Sequence, residues 1–138
     1  PLTLTASGVE LECIPVSVGN PHAVVFVPDA EKIRLSVLGK ALSCHSEFPD
    51  GVNVEFVQVI DPQTLRMRVW ERGSGVTMAC GTGACASAAA AAAMGLCRRG
   101  EPIEVRLDGG ALSIVVQEDD TVYMTGPAVT VYEGETVQ

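Results

Sequence analysis

The chain has 138 residues, 47% of them apolar and 19% charged, enough for one domain with its own core and too apolar for a disordered segment. A net charge of −8 argues against nucleic acid as the main partner, because phosphate binding needs a basic surface. The apolar run near residues 84–97 falls short of the ~20 residues of a membrane span and is interrupted by Ser87, so no membrane partner is expected.

In chain order, "VELECIPV" at 9–16 reads as a strand, and "AVVFV" at 23–27 as a short apolar strand covered on both faces. Asp29 is placed to cap a helix over about 31–43, where Ile33, Val37, Leu38, Ala41 and Leu42 form an apolar stripe. "NVEFVQVI" at 53–60 and "TLRMRVWER" at 64–72 flank the turn "DPQT", the signature of an antiparallel hairpin. Leu65, Met67 and Val69 share one face of the second strand. Glu71 has the same parity and is expected to point inward, an unusual address for a carboxylate. Further on, "PIEVRL", "ALSIVVQ" and "TVYMTG" read as a meander split by "DGG" and "EDD".

Between the hairpin and the meander lies "ACGTGACASAAAAAAMGLC" at 79–97, a helix from about residue 83 or 84 with no polar face. A helix apolar all round must be buried on all sides. The expected fold is therefore α+β: about seven strands in an antiparallel, barrel-like sheet wrapped around a central apolar helix, as one domain over 1–138. Alanine suits that axle, being the best helix former and small enough for the sheet to approach closely.

Five cysteines, Cys13, Cys44, Cys80, Cys85 and Cys97, are odd in number and match no zinc spacing, so they read as reduced thiols of an intracellular protein with no metal site. Cys80 stands at the mouth of the alanine helix, where unpaired N–H groups and the macrodipole favour an anion. A thiolate there is expected to titrate below the free value of about 8.5. The N–H groups of Gly81, Thr82 and Gly83 could hold a carboxylate. A thiolate beside a carboxylate site suits removal of the proton alpha to that carboxylate. Cysteine also often merely packs, and a Gly-rich turn before a helix is common, so the residues alone leave both roles open for Cys80. Cys85 reads as helix core and His45 as surface; a redox pair of Cys80 and Cys85 would strain the helix start. "GNPH" at 19–22 is either a structural turn or a site in which Asn20 bonds a ligand and His22 relays a proton. Arg72 could grip a carboxylate in bidentate fashion or simply be solvated.

Taken together, "VGNPHAVVFV" (18–27), "FPDGVNVEFVQV" (48–59) and "RVWERGSGVTMACGTGACASA" (68–88) closely resemble the C-terminal half of diaminopimelate epimerase, in order and spacing, across roughly residues 9–130. Proline racemases and phenazine-biosynthesis isomerases are more distant relatives of the same architecture. The resemblance implies a cofactor-free, cytoplasmic epimerase that interconverts LL- and meso-diaminopimelate on the route to lysine and peptidoglycan. Two cysteines then act on opposite faces of the alpha carbon, and Cys80 matches the second of them. By the same resemblance Asn20 and Asn53 contact substrate, Glu71 and Arg72 grip its amino and carboxylate groups, and Gly81 and Thr82 hold the carboxylate. His22 and Glu71 match residues thought to adjust the thiols.

The other catalytic cysteine belongs to an N-terminal half, in a Cys-Gly-Asn-Gly type block that does not occur in this sequence. The expectation is a half enzyme, inactive without that partner half, whose uncovered face leaves room for a homodimer. A non-catalytic binding or scaffold module of the same fold, or a related proline racemase or phenazine-type isomerase, is the competing reading.

Overall fold

The computed structural model describes residues 1–72, 75–76, 81–125 and 131–134. Its order is β1 (Leu2–Ala6), β2 (Val9–Ser17), β3 (Pro21–Phe26), α1 (Leu35–Ser43), β4 (Asn53–Asp61), β5 (Thr64–Glu71), β6 (Gly75–Val76), α2 (Gly81–Ala93), β7 (Ile103–Leu107), β8 (Gly110–Val116), β9 (Val122–Thr125) and β10 (Val131–Gly134). Among the described residues all ten strands belong to one sheet, ordered β1-β2-β3-β4-β5-β7-β8-β9-β10, with β6 added beside β5.

The α+β architecture is as expected, and α2 is the axle. Its residues from Gly83 to Ala92 are buried, and it packs against β2, β3, β4, β5, β7, β8 and β9. Ser87, the single polar residue in the run, is satisfied internally: its hydroxyl donates to the Gly83 carbonyl at 2.8 Å. The helix begins two residues earlier than the sequence implied, taking in Gly81 and Thr82, since tertiary packing overrides their weak propensity. It ends in a Schellman motif, with Gly95 at φ +75°, Leu96 N–H bonded to Ala91 C=O (2.8 Å) and Gly95 N–H to Ala92 C=O (3.1 Å). No described helix is long and apolar enough to cross a membrane.

The sheet is mixed rather than wholly antiparallel. β3 and β4 run parallel, as do β5 and β7. Parallel neighbours need a long crossover, and these are the two connections that carry α1 and α2. The expected 53–60/64–72 hairpin and the β7–β8–β9 meander are antiparallel, as read.

Three strands were not foreseen: β1, the two-residue β6 and β10. β1 and β2 form a hairpin whose two-residue turn, Ser7 (φ +50°) and Gly8 (φ +77°), is left-handed at both positions. The helix expected over 31–43 is divided. Asp29 does cap, accepting the Glu31 N–H at 3.0 Å, but it caps a single 3₁₀ turn, Ala30–Lys32. Ile33 is extended and α1 starts at Leu35. The break has a tertiary cause: Arg68 on β5 donates to the Ala30 and Ile33 carbonyls at 3.2 and 3.1 Å, oxygens that a continuous helix would use itself.

Two cores result. One lies between α2 and the inner face of the sheet, with Val24, Val57, Met67 and Ile114 among its members. The other lies between α1 and the opposite face of β1–β4, around Val25, Leu42, Val54 and Phe56. β3 and β4 are thus covered on both sides. A polar residue on their α2 face therefore enters the middle of the molecule.

Candidate active site

The polar residues of "GNPH" and "NVEF" collect at one end of the molecule, beside the start of α2. The turn after β2 closes with the Val18 N–H on the Asn20 carbonyl (3.3 Å), and Gly19 supplies the left-handed step at φ +91°. β3 and β4 then run parallel with His22 opposite Asn53 and Val24 opposite Glu55. On β4, Val54 and Phe56 face α1 while Val57 faces α2, so the strand period places Asn53 and Glu55 on the α2 side.

His22 and Glu55 are both buried, and His22 Nδ1 lies 2.7 Å from Glu55 Oε2. Across the ring, His22 Nε2 lies 3.0 Å from Asn20 Oδ1. Asn20 Nδ2 in turn donates toward Thr82 Oγ1 in the first turn of α2, at 3.5 Å. The second oxygen of Glu55, Oε1, is buried and has no hydrogen-bond partner among the described residues. Burial pushes the Glu55 carboxyl above its ordinary range; the hydrogen bond with His22 opposes that rise, and the nearby negative charge of Glu71 adds to it.

Asn53 ties three elements together. Its Oδ1 accepts the backbone N–H of Arg72 at 2.7 Å, and its Nδ2 donates to the Pro21 carbonyl at 3.3 Å. Glu71 is half-buried on the Val69 face, the inward address that its parity implied. Arg72 is exposed at the rim. Its stem crosses Gly51, where an added Cβ would stand 2.8 Å from both Arg72 Cγ and Cδ, and its guanidinium reaches the Asp50 carbonyl at 3.4 Å. At Gly81 an added Cβ would meet the Met124 Cε at 3.2 Å, so β9 closes tightly over the helix start.

Of the residues singled out from sequence, Asn20, His22 and Thr82 are joined in one hydrogen-bond chain, Asn53 lies opposite His22 and is bonded to the Pro21 carbonyl and the Arg72 N–H, and Glu71 and Gly81 lie beside the chain. Cys80 lies outside the described residues, as does most of the loop leading to it. Cys85 is buried in α2, as read, and Cys13 and Cys97 are buried too; Cys44 is exposed. His45 is half-buried, its Nδ1 accepting the Glu47 N–H. Glu55 was quoted within "NVEF" but not singled out. The available signal was a carboxylate in the middle of a strand whose neighbours are apolar on both faces.

The sequence profile of diaminopimelate epimerase matches residues 14–131. This chain belongs to the diaminopimelate epimerase family. It is 52% identical over 134 residues to the diaminopimelate epimerase of Phocaeicola vulgatus, an alignment covering 96% of this chain and 47% of that protein. Against the Bacillus subtilis enzyme of the same name it is 48% identical over 132 residues, 96% of this chain and 46% of the other. The chain thus spans about half the length of the relatives that it matches.

Solved structures share the fold at lower identity. A phenazine biosynthesis protein of the PhzF family from Enterococcus faecalis superposes with a TM-score of 0.62 at 16% identity, over 81% of this chain and 42% of that one. A probable proline racemase from Agrobacterium radiobacter gives 0.55 at 20% identity, over 93% of this chain and 43% of the other.

Proposed function

We propose that the chain is the C-terminal half of a cytoplasmic, cofactor-independent diaminopimelate epimerase. It serves lysine and peptidoglycan synthesis and is inactive without an N-terminal half. The observation that carries this reading is the chain from His22 through Asn20 to Thr82 in the first turn of α2, with Asn53 beside His22 on the neighbouring strand; α2 is the helix that Cys80 immediately precedes in sequence.

In this reading the α-carboxylate of diaminopimelate lies against the N–H groups at the start of α2, where the helix dipole is positive. That charge is needed: removal of the α-proton sends the C–H electron pair toward the carboxylate, which takes on dianionic, enolate-like character. Cys80 acts on one face of the carbon and a cysteine of the N-terminal half on the other. One, as thiolate, takes the proton; the other, as thiol, delivers its own proton to the opposite face. The bond broken and the bond made are both C–H, and nothing is oxidised or reduced. Glu71 and Arg72 hold the amino and carboxylate groups of the reacting centre, and Asn20 and Asn53 orient it.

The test is to fuse this chain behind the N-terminal portion of the Phocaeicola vulgatus enzyme and assay epimerisation. The fusion should turn over LL-diaminopimelate, its Cys80→Ser variant should not, and this chain alone should not. A fusion that folds and binds diaminopimelate but leaves its stereochemistry untouched would favour a binding module instead.

A further inference from the structure

Glu55 has no part in the reaction just described, yet it is the most deeply placed acid among the described residues. It is fully buried on the α2 face of β4, with one oxygen 2.7 Å from His22 Nδ1 and the other without a partner. The charged or titratable groups that act on it are His22 from β3 and Glu71 from β5. No arginine or lysine among the described residues forms an ion pair with it.

An ionised carboxylate in that position would leave a charged oxygen buried and unpaired, at a far higher cost than a neutral carbonyl oxygen. The donors and acceptors beyond it also run in one direction. If Glu55 Oε2–H donates to His22 Nδ1, the neutral ring carries its proton on Nε2. That N–H then donates to Asn20 Oδ1, and Asn20 Nδ2 donates to Thr82 Oγ1. With Asn20 oriented as it is, a reversed first link on a neutral ring would set Nε2 and Asn20 Oδ1, two acceptors, facing each other at 3.0 Å, and a doubly protonated ring would require the ionised Glu55 whose Oε1 has no partner among the described residues.

We propose that Glu55 is a positioning residue that works as a neutral, protonated donor. It fixes His22 as the Nε2–H tautomer and so starts a directed hydrogen-bond relay, Glu55–His22–Asn20–Thr82, that ends in the first turn of α2. The role rests on the epimerase reading for its catalytic meaning, but the relay itself is a property of this chain. It gives Asn20 a fixed amide orientation and leaves its substrate-facing edge the same in every turnover.

Two measurements test it. In this 138-residue chain, nitrogen-detected NMR of the two histidine rings near pH 7 should show His22 protonated at Nε2 and not at Nδ1, with His45 as the internal comparison. The Glu55 side-chain carbon should read as a carboxylic acid. Protonation at Nδ1, on both nitrogens, or a carboxylate signal would overturn the proposal, and none of these readouts depends on enzyme activity. In the fused enzyme, Glu55→Leu should lower kcat by about tenfold or more with little change in KM, because His22 loses its donor in a buried site. Glu55→Gln presents an amide N–H where the acid presents O–H, and should recover most of that loss. If Gln is as damaging as Leu, the carboxylate charge matters and the neutral donor is wrong. If the fused wild type does not epimerise, the function fails while the NMR result still decides the relay.

Discussion

Asn53 accepts the backbone N–H of Arg72 across 2.7 Å, so the residue that opens β4 sets the place of the residue that follows β5. The same side chain holds the Pro21 carbonyl, one position before His22. A single buried amide therefore registers the two segments that "GNPH" and "ERG" contribute to the site.

Replacing Asn53 by alanine should leave the Arg72 N–H and the Pro21 carbonyl without that partner. The expected loss is about 1–3 kcal/mol by urea unfolding. In the fused enzyme, kcat/KM for diaminopimelate should fall by about tenfold or more, with more of the loss than Arg72→Lys shows appearing in kcat.

The approach of α1 to β5 depends on Gly39. A Cβ there would stand 2.6 Å from the Trp70 Cβ and 2.9 Å from its Cγ, atoms close to the backbone that cannot swing aside. Gly39→Ala should destabilise by about 1–3 kcal/mol despite alanine's better helix propensity. A melting temperature equal to or above wild type would contradict this packing. Ala90→Leu, in the wholly buried axle, should cost a similar amount for the same reason.

Glu55 should make stability depend on pH in a defined sense. Its folded carboxyl titrates above its ordinary 4.5, so below that value the group is neutral in both states and its contribution is fully present. As pH rises past 4.5 the unfolded chain releases the proton while the folded chain keeps it, and the contribution is lost until the folded group also titrates. Wild type should thus weaken relative to Glu55→Gln by about 1.4 kcal/mol per pH unit within that window. Urea unfolding of both proteins from pH 4 to 8 checks the slope; a flat or rising difference would contradict it.

Thiol chemistry should separate the cysteines. Burial pushes Cys13 and Cys97 up to about 11, with Glu12 and Asp61 respectively adding to the rise, and Cys44 is exposed. In a Cys44→Ser variant, alkylation followed by mass spectrometry should find Cys80 as the fast site, with an apparent pKa below the free value of about 8.5. An apparent pKa at or above that value would count against an activated thiol.

Much of the architecture could be read from the sequence where a pattern is local. The alternation of Leu65, Met67 and Val69 fixed the facing of β5, and a helix with no polar face could only be an axle. What depended on distant partners could not be read. The break between the 3₁₀ turn and α1 comes from Arg68, more than thirty positions away. The β1–β2 hairpin turns on Ser7 and Gly8, a short signal just ahead of the strand read at 9–16, and the strand before it has no local pattern strong enough to stand alone. The site divides the same way. Asn20, His22 and Asn53 stood out by motif. Glu55 carried only the weaker signal of a carboxylate among apolar neighbours, and its full burial follows from the cover that α1 and α2 place on both faces of β4.

The most direct measurement is solvent-deuterium exchange at the alpha carbon of LL-diaminopimelate in deuterated water. This chain alone should show none. The fused enzyme should place deuterium in the meso product, and its Cys80→Ser variant should lose that epimerisation. Exchange and epimerisation by the isolated chain at the rate of the fused enzyme would contradict the requirement for a second thiol from a partner half.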